Sequence, residues 1–503
     1  MRSFRYIFTL LLFSIISFTA EAQEIKARVL DAETKEPIQY ANVLFGEHHG
    51  VVTNDEGYFS FTTGKLPKSI KISSLGYDAQ ELDPNEVQNK TILLKPSTIE
   101  LGEVFLSNKT LTPSEILEKV KDEVPNNYDL GLGQKRVFLR QSYFTNIKKF
   151  KMEVDESTIP GIDQNLMDRI TAEMPKFTDS YREVLGDLYG NYDNQKFKIV
   201  KAANLYNPEN SQSLEQLTDH LEEAFRKNLK KGSFLKIRSG IIGVKVDEEE
   251  LEESMADLEK EKKEKTPEEI AESNAKNQKY LKENATQTIN SLLGNIFWKK
   301  DIDFDLFEKT RKYELTLEGY LRMGENTVYV INFEPKRGAD YKGKIYVNTL
   351  DYGVHRLDFE NVKPLSKFKL FGISTSKDVH KGKMIFTRNE QGKYSINYLE
   401  QEKGETVGLD RPLTIIEKNR HVPGRNKQNE LDLDLDFRVG EVEKVQLVVY
   451  EDRPLDKTDY EKLKVKDDFE YQKFKTYNAD FWAGYNIIEP NAAIRKFSAL
   501  EKE

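Results

Sequence analysis

The sequence predicts a small all-β sandwich at its N-terminal end and, after it, a larger α+β domain built on a curved antiparallel sheet. Three observations lead there. Between Pro37 and Tyr77 apolar and polar residues alternate on either side of Asp/Gly turns, the pattern of short antiparallel strands. Between residues 296 and 450 many further runs of this kind follow one another, joined by short polar turns. Between these regions lie segments with helical spacing and capping signals, beginning at Thr112-Pro113-Ser114-Glu115.

In chain order, residues 1–22 read as a signal peptide. Arg2 and Arg5 supply a positive start, Tyr6 to Phe18 a short apolar stretch, and Ala20-Glu21-Ala22 a small-x-small cleavage site. The mature chain is expected to begin at Gln23. The apolar stretch is too short for a comfortable span, and no later stretch approaches ~18 uninterrupted apolar residues, so no transmembrane span is expected after signal removal. The chain has no cysteine. Disulfides, a thiolate nucleophile and Cys-ligated metals are therefore excluded, as is the lipoprotein anchor that needs a cysteine after the cleavage site. Net charge is −9 with both signs interspersed, which leaves no basic field to collect nucleic acid. The expected location is the periplasm or an envelope-associated site.

Residues 23–107 are expected to form the sandwich. Glu24 to Val29 reads as its first strand, Thr34-Lys35-Glu36-Pro37 as a turn, and Lys90 to Leu94 as a late strand. In Asn54-Asp55-Glu56-Gly57 the Asx side chains can bond their own backbone, and Gly57 supplies a positive φ. Pro37 through Ala41-Asn42-Val43, then Gly50 through Phe59, then Leu75-Gly76-Tyr77 follow one another in an order that resembles the carboxypeptidase-like regulatory domain. That family is a transthyretin-like β-sandwich of Bacteroidetes-type envelope proteins. Its opening Gly-x-Val is here Ala27-Arg28-Val29. The resemblance implies a fold and an envelope setting but no reaction. Residues 98–107 read as the tail that leads into the next domain.

Residues 108–503 are expected to form the α+β domain. Ile116, Leu117 and Val120 repeat at helical spacing until Pro125, and Phe138 to Phe150 reads as strand. Ser213 to Leu229 is the clearest helix, with Leu214, Leu217, Leu221, Ala224 and Phe225 on one face. Residues 247–283 are dominated by Glu and Lys and are expected to be an exposed insertion, helical or partly disordered. Within 296–450 the strand runs are Tyr313–Tyr320, Asn326–Phe333, Gly343–Thr349, Val354–Phe359, Lys383–Arg388, Tyr394–Glu400, Leu413–Glu417, Leu431–Phe437 and Val445–Tyr450. The passages Val328–Arg337, Tyr341–Asn348 and Tyr352–Phe359 resemble a lipoprotein-carrier-like half-barrel. Near the end Phe469, Phe474, Tyr477, Phe481, Trp482 and Tyr485 recur at helix-like intervals, as if docking a terminal segment onto its own domain.

Three constellations bear on chemistry. His220 and Glu223 have the HxxE spacing of metallocarboxypeptidases, and His355 could complete a zinc site. However, His220 sits in a charged helical run, and the α/β order of such enzymes is missing. Glu47-His48-His49 sets adjacent imidazoles on opposite faces of a strand, which suits no single ion. Leu431-Asp432-Leu433-Asp434-Leu435-Asp436-Phe437 places three carboxylates on one strand face, which could collect calcium but has no glycine-turned loop, so it reads as a solvated acidic face. No Ser elbow, phosphate loop or dinucleotide fingerprint is present. The expectation is therefore no catalytic, cofactor-binding or metal residues. It describes a non-enzymatic envelope protein whose sandwich serves protein or glycan interaction. The alternatives are a periplasmic carrier of an amphipathic ligand and, behind it, a zinc carboxypeptidase.

Overall fold

The computed structural model describes residues 23–497 except 47–48, 98–110, 208, 248, 251–252, 254–265, 324–325, 337, 390, 420, 425 and 467. The signal peptide 1–22, the tail 98–107, Glu47, His48 and much of the charged stretch after Asp247 lie outside these residues. The chain is mostly β, 51% in strands, and divides into two compact units.

The first unit comprises the described residues up to 97, the stretch at Arg322 and Asn478–Asn491. Its elements are β1 (Gln23–Asp31), β2 (Asn42–Leu44), β3 (Gly50–Val52), β4 (Tyr58–Thr63), β5 (Ile70–Ser73), β6 (Gln80–Leu82), α1 (Pro84–Val87) and β7 (Lys90–Leu94). They form a three-stranded sheet in the order β4-β1-β7 and a four-stranded sheet in the order β3-β2-β5-β6, with β1 and β7 parallel. Val29, Val43, Phe59, Phe61, Ile70, Ile72 and Leu94 are buried between them, which is the expected sandwich. The Asn54 turn forms for the expected reason. Its Oδ1 accepts from the backbone of Glu56 and Tyr58 at 2.9 Å each. Gly57 sits at φ +78°, where a Cβ would come within 2.4 Å of the Val29 carbonyl. Tyr77 closes the Leu-Gly-Tyr motif by donating its hydroxyl to Asp31 at 2.8 Å.

The second unit is a fourteen-stranded sheet with helices packed on it. It continues with α2 (Pro113–Asn127), β8 (Gly133–Ser157), α3 (Gln164–Glu173), β9 (Phe177–Gly190), β10 (Gln195–Leu205), α4 (Glu209–Asn228), β11 (Ser233–Ser239), β12 (Ile242–Val246) and α5 (Pro267–Gly294). Then come β13 (Tyr313–Met323), β14 (Asn326–Pro335), β15 (Tyr341–Asn348), β16 (Val354–Asn361), β17 (Ser366–Leu370), β18 (Ile373–Arg388), β19 (Tyr394–Asn419), β20 (Lys427–Pro454), α6 (Lys457–Lys462), β21 (Glu470–Phe474) and α7 (Ala492–Arg495). The strand order is β13-β14-β15-β16-β18-β19-β20-β8-β9-β10-β21, with β11, β12 and β17 attached at the side. From β14 through to β10 the ladder pairings are antiparallel, as are those of β11, β12 and β17, whereas β10 and β21 are parallel.

Several sequence expectations change. Tyr394–Glu400 and Leu413–Glu417 are two ends of one strand, β19, and Leu431–Phe437 and Val445–Tyr450 are two ends of β20. Their middles are rich in charged residues and glycine, which hides the alternation, but β19 is paired on both sides as far as Leu409 and β20 throughout. The end of the charged stretch, from Pro267, is the first part of a helix that runs on to Gly294. In α5 the first turns are exposed, whereas Leu281, Ala285, Ile289, Leu292 and Leu293 are buried in the core. The aromatic C-terminal run is no helix either. It supplies β21 and a 3-10 turn at Ala479–Trp482, and residues 478–491 belong to the first unit.

Candidate functional site

The four-stranded sheet of the first unit ends in two different ways. β3 is buried along its length, whereas β6 has β5 as its only strand neighbour among the described residues and is partly exposed. Such an end strand offers backbone N–H and C=O groups to an added strand. Its position is fixed on both flanks. Gln80 reaches back to the Leu93 carbonyl at 2.8 Å, and directly after β6 Asp83 and Glu86 form a capping box that starts α1.

On the three-stranded sheet, the end strand β4 is already engaged by residues 486–490 of the same unit. Asn54 Nδ2 donates to the carbonyls of Glu489 and Pro490 at 3.2 and 3.3 Å. The Ser60 hydroxyl donates to the Glu489 carboxylate, and the Asn486 side chain accepts from the Thr62 backbone N–H at 2.8 Å. Phe481, Trp482, Ile487 and Ile488 are buried beside these contacts. The sandwich thus holds an irregular, extended segment along a strand edge through side-chain amides and hydroxyls. The aromatic spacing of 469–485 gave no sign of this, because the polar contacts fall on Asn486 and Glu489, beyond the aromatics.

The residues weighed for chemistry do not converge. His220 and Glu223 lie exposed on α4, and Glu223 pairs with Lys227 one turn on at 2.7 Å. The hydrogen bond from Lys227 holds the Glu223 carboxyl below its ordinary pKa. His355 is buried in β16, with its Nε2 3.4 Å from the Tyr394 hydroxyl and 3.5 Å from the Asn348 amide. Burial lowers its pKa to about 4. His49 stacks at 6.2 Å on Phe45. The acidic strand adopts its expected alternation, with Leu431 and Leu433 buried and Asp434 exposed. Asp432 meets Glu156 and Glu430 with ligand atoms within 4.8 Å of one another, on a partly exposed surface.

The interior of the second unit bears on the carrier alternative. Tyr128 lies at its centre, with Phe297, Trp298, Phe386 and Tyr394 rings at 4.6–5.8 Å. Phe304, Phe333, Tyr341 and Phe359 form a second aromatic group in the same core. A recess near Lys135, Tyr192 and Leu293 has room for about one water molecule. Around Tyr128 and Phe304 the core is filled by these rings, which lends no support to the carrier alternative.

Residues 25–106 match the family model of the CarboxypepD_reg-like domain. No curated protein matches the chain. Among solved structures, a domain described as an outer membrane lipoprotein-sorting protein from Vibrio parahaemolyticus aligns at 7% identity, covering 70% of this chain and 98% of that one, with a TM-score of 0.20. A LolA superfamily protein from Nitrosomonas europaea aligns at 11% identity over 71% and 99% of the two chains, with a TM-score of 0.18. The MucA/MucB complex of Pseudomonas aeruginosa aligns at 7% identity over 68% and 99%, with a TM-score of 0.16. The chain therefore has a weak structural resemblance to LolA-like carriers over most of its length, too slight to bear on function.

Proposed function

We propose that this chain is a non-catalytic binding protein of the cell envelope, and that its N-terminal sandwich recognises a protein or glycan partner. One observation carries the reading: the sandwich already holds an extended segment of its own chain along β4, through Asn54, Ser60 and the Thr62 backbone. A related mode is open to a partner at β6, where main-chain edge pairing in place of side-chain contacts supplies affinity and alternate side chains supply selectivity. The apolar start of the sequence and its small-x-small site support export, and the lack of cysteine supports a protein without a lipid anchor. No described helix is long and apolar enough to cross a membrane.

The test is affinity capture from an envelope extract with the full chain and with the variant Gln80→Lys/Glu81→Lys. Lysines on an edge strand oppose the addition of another strand. Loss of a discrete partner in the variant, at unchanged melting temperature, supports the reading. The same partners captured by both chains would refute it.

A further inference from the structure

Two hairpins meet at one place on the long strand β19. In the β17–β18 hairpin Leu370 pairs with Ile373, so Phe371-Gly372 forms the turn. In the β11–β12 hairpin Ser239 pairs with Ile242, so Gly240-Ile241 forms the turn. β18 pairs β19 up to Leu409, and β11 takes up pairing at Thr414 on the same side of that strand. Between them the Asp410 N–H donates to the Gly372 carbonyl at 2.8 Å, and the Arg411 guanidinium donates to the Ser239 carbonyl.

The registers put the apolar residues of both hairpins on one face. Phe368 and Leu370 lie opposite Thr375 and Ile373, which lie opposite Val407 and Leu409. Ile237, opposite Ile415 of β19, pairs with Val244, and Ile242 follows on the same face. Further along, that face of β19 and β20 is covered by Leu221, Ala224 and Phe225 of α4. Here it is open: Phe368, Leu370, Ile373, Val407, Ile242 and Val244 are all exposed. The turns project furthest, with Phe371 66% and Ile241 88% exposed. Phe371 also sits at φ +47°. A bulky residue is an outlier there, and a two-residue turn with both φ positive favours Asn-Gly. Stability of the hairpin alone would not select an aromatic at that corner.

On the two hairpins themselves the opposite face is cationic. Residues 233–246 carry Lys236, Arg238 and Lys245, and residues 366–377 carry Lys367, Lys369 and Lys377, with no Asp or Glu in either stretch of a chain whose net charge is −9. Lys367, Lys369, Lys236, Arg238 and Lys245 alternate with the apolar set, while Lys377 shares its face. Lys245 pairs with Asp247, Glu405 of β19 shares the apolar face, and beyond the hairpins the cationic face gives way to Asp410 of β19, opposite Asp436 of β20, with Asp434 and Asp432 following. An apolar face backed by long cationic side chains is the arrangement that lies in a membrane interface, with the aliphatic stems following the apolar surface and the charges reaching the headgroups.

We propose that the paired ends of the β11–β12 and β17–β18 hairpins dock on the surface of a phospholipid bilayer bearing anionic headgroups. Phe371 and Ile241 enter the headgroup boundary, and the lysines contact phosphate. This surface lies in the second unit and does not depend on the partner reading for the sandwich. The experiment is co-sedimentation of the full chain with vesicles of phosphatidylglycerol and phosphatidylethanolamine, and with vesicles of phosphatidylcholine alone. The variants are Phe371→Asn with Ile241→Ser, and Lys367→Glu with Lys369→Glu. Phe371→Asn gives the corner its favoured residue type, so folding is retained and a loss of binding reports on the membrane contact. Binding to the anionic vesicles, weaker binding to phosphatidylcholine, and a drop of at least ~tenfold in both variants are expected. Absence of binding to anionic vesicles, or equal binding by the variants, would overturn the proposal. So would light scattering that finds a dimer of the full chain which the same substitutions dissolve, since the face would then belong to a second copy.

Discussion

Arg140 on β8 and Glu183 on β9 form an ion pair sealed inside the sheet, with Nη2 and Nε 2.7 and 2.8 Å from Glu183 Oε1. The two residues are 2% and 0% exposed. Burial alone would push the guanidinium pKa down, but the neighbouring carboxylate outweighs it and the net shift is upward. A charge so placed is costly once its partner is gone. Glu183→Gln is expected to destabilise the chain by about 3–5 kcal/mol in urea unfolding. The double variant Arg140→Met/Glu183→Leu should cost much less, because no charge is stranded. Equal losses would contradict the pairing.

His355 and His380 should remain neutral in the folded protein well below the pH at which histidine ordinarily protonates. Burial lowers both to about 4. His380 is held between the Tyr341 hydroxyl at 2.8 Å and the Gln401 amide at 3.1 Å. The unfolded chain takes up these protons near pH ~6.5, the folded chain only near 4, so their contribution to stability is complete above ~6.5 and is lost as pH falls toward 4. Ring-proton NMR from pH 8 to pH 4 checks this. Two of the six histidines should still resist protonation at pH 5, and midpoints near 6.5 for all six would contradict it.

Tyr128 fills the centre of the second unit, and its hydroxyl accepts from the Val354 N–H at 2.8 Å. Tyr128→Ala is expected to cost about 3–5 kcal/mol, by lost burial and by the cavity it leaves. The unsubstituted chain should show no saturable uptake of a fluorescent fatty acid. Stoichiometric uptake would restore the carrier alternative.

Asn54 serves two segments at once, which allows them to be separated. Asn54→Asp keeps the Oδ1 that organises the 54–57 turn but replaces the donor facing the Glu489 and Pro490 carbonyls with a second acceptor. The turn should survive while residues 486–490 loosen, at a cost of about 1–3 kcal/mol. Hydrogen exchange should quicken in 486–490 with little change at Val29, whose N–H donates to the Gly57 carbonyl. Equal quickening in both would contradict the division of roles.

The sandwich was legible because its signals are local. Asn54, Gly57 and Tyr77 each act through a turn or a single bond, and their residue types allow few other readings. The strand-rich heart was legible at its ends, where Leu431, Leu433 and Val445 to Tyr450 face a core, and lost in its middle. Residues 401–409 and 436–444 are held by neighbouring strands on both sides, a tertiary effect with no period in the sequence. The Phe371 and Ile241 hairpins were missed for a related reason. Both of their faces are exposed, so Lys and Phe alternate without pointing to an interior. Residues 486–490 carry no pattern at all, since their partners lie more than 400 positions earlier in the chain.

The most direct test places a photoreactive amino acid at Glu81 on β6, with a control at Glu173 at the end of α3, in the chain expressed in its native envelope. A discrete cross-linked adduct is expected from position 81 and none from position 173. No adduct from position 81, or the same adducts from both, would contradict the claim that this protein works by offering the sandwich edge to a partner.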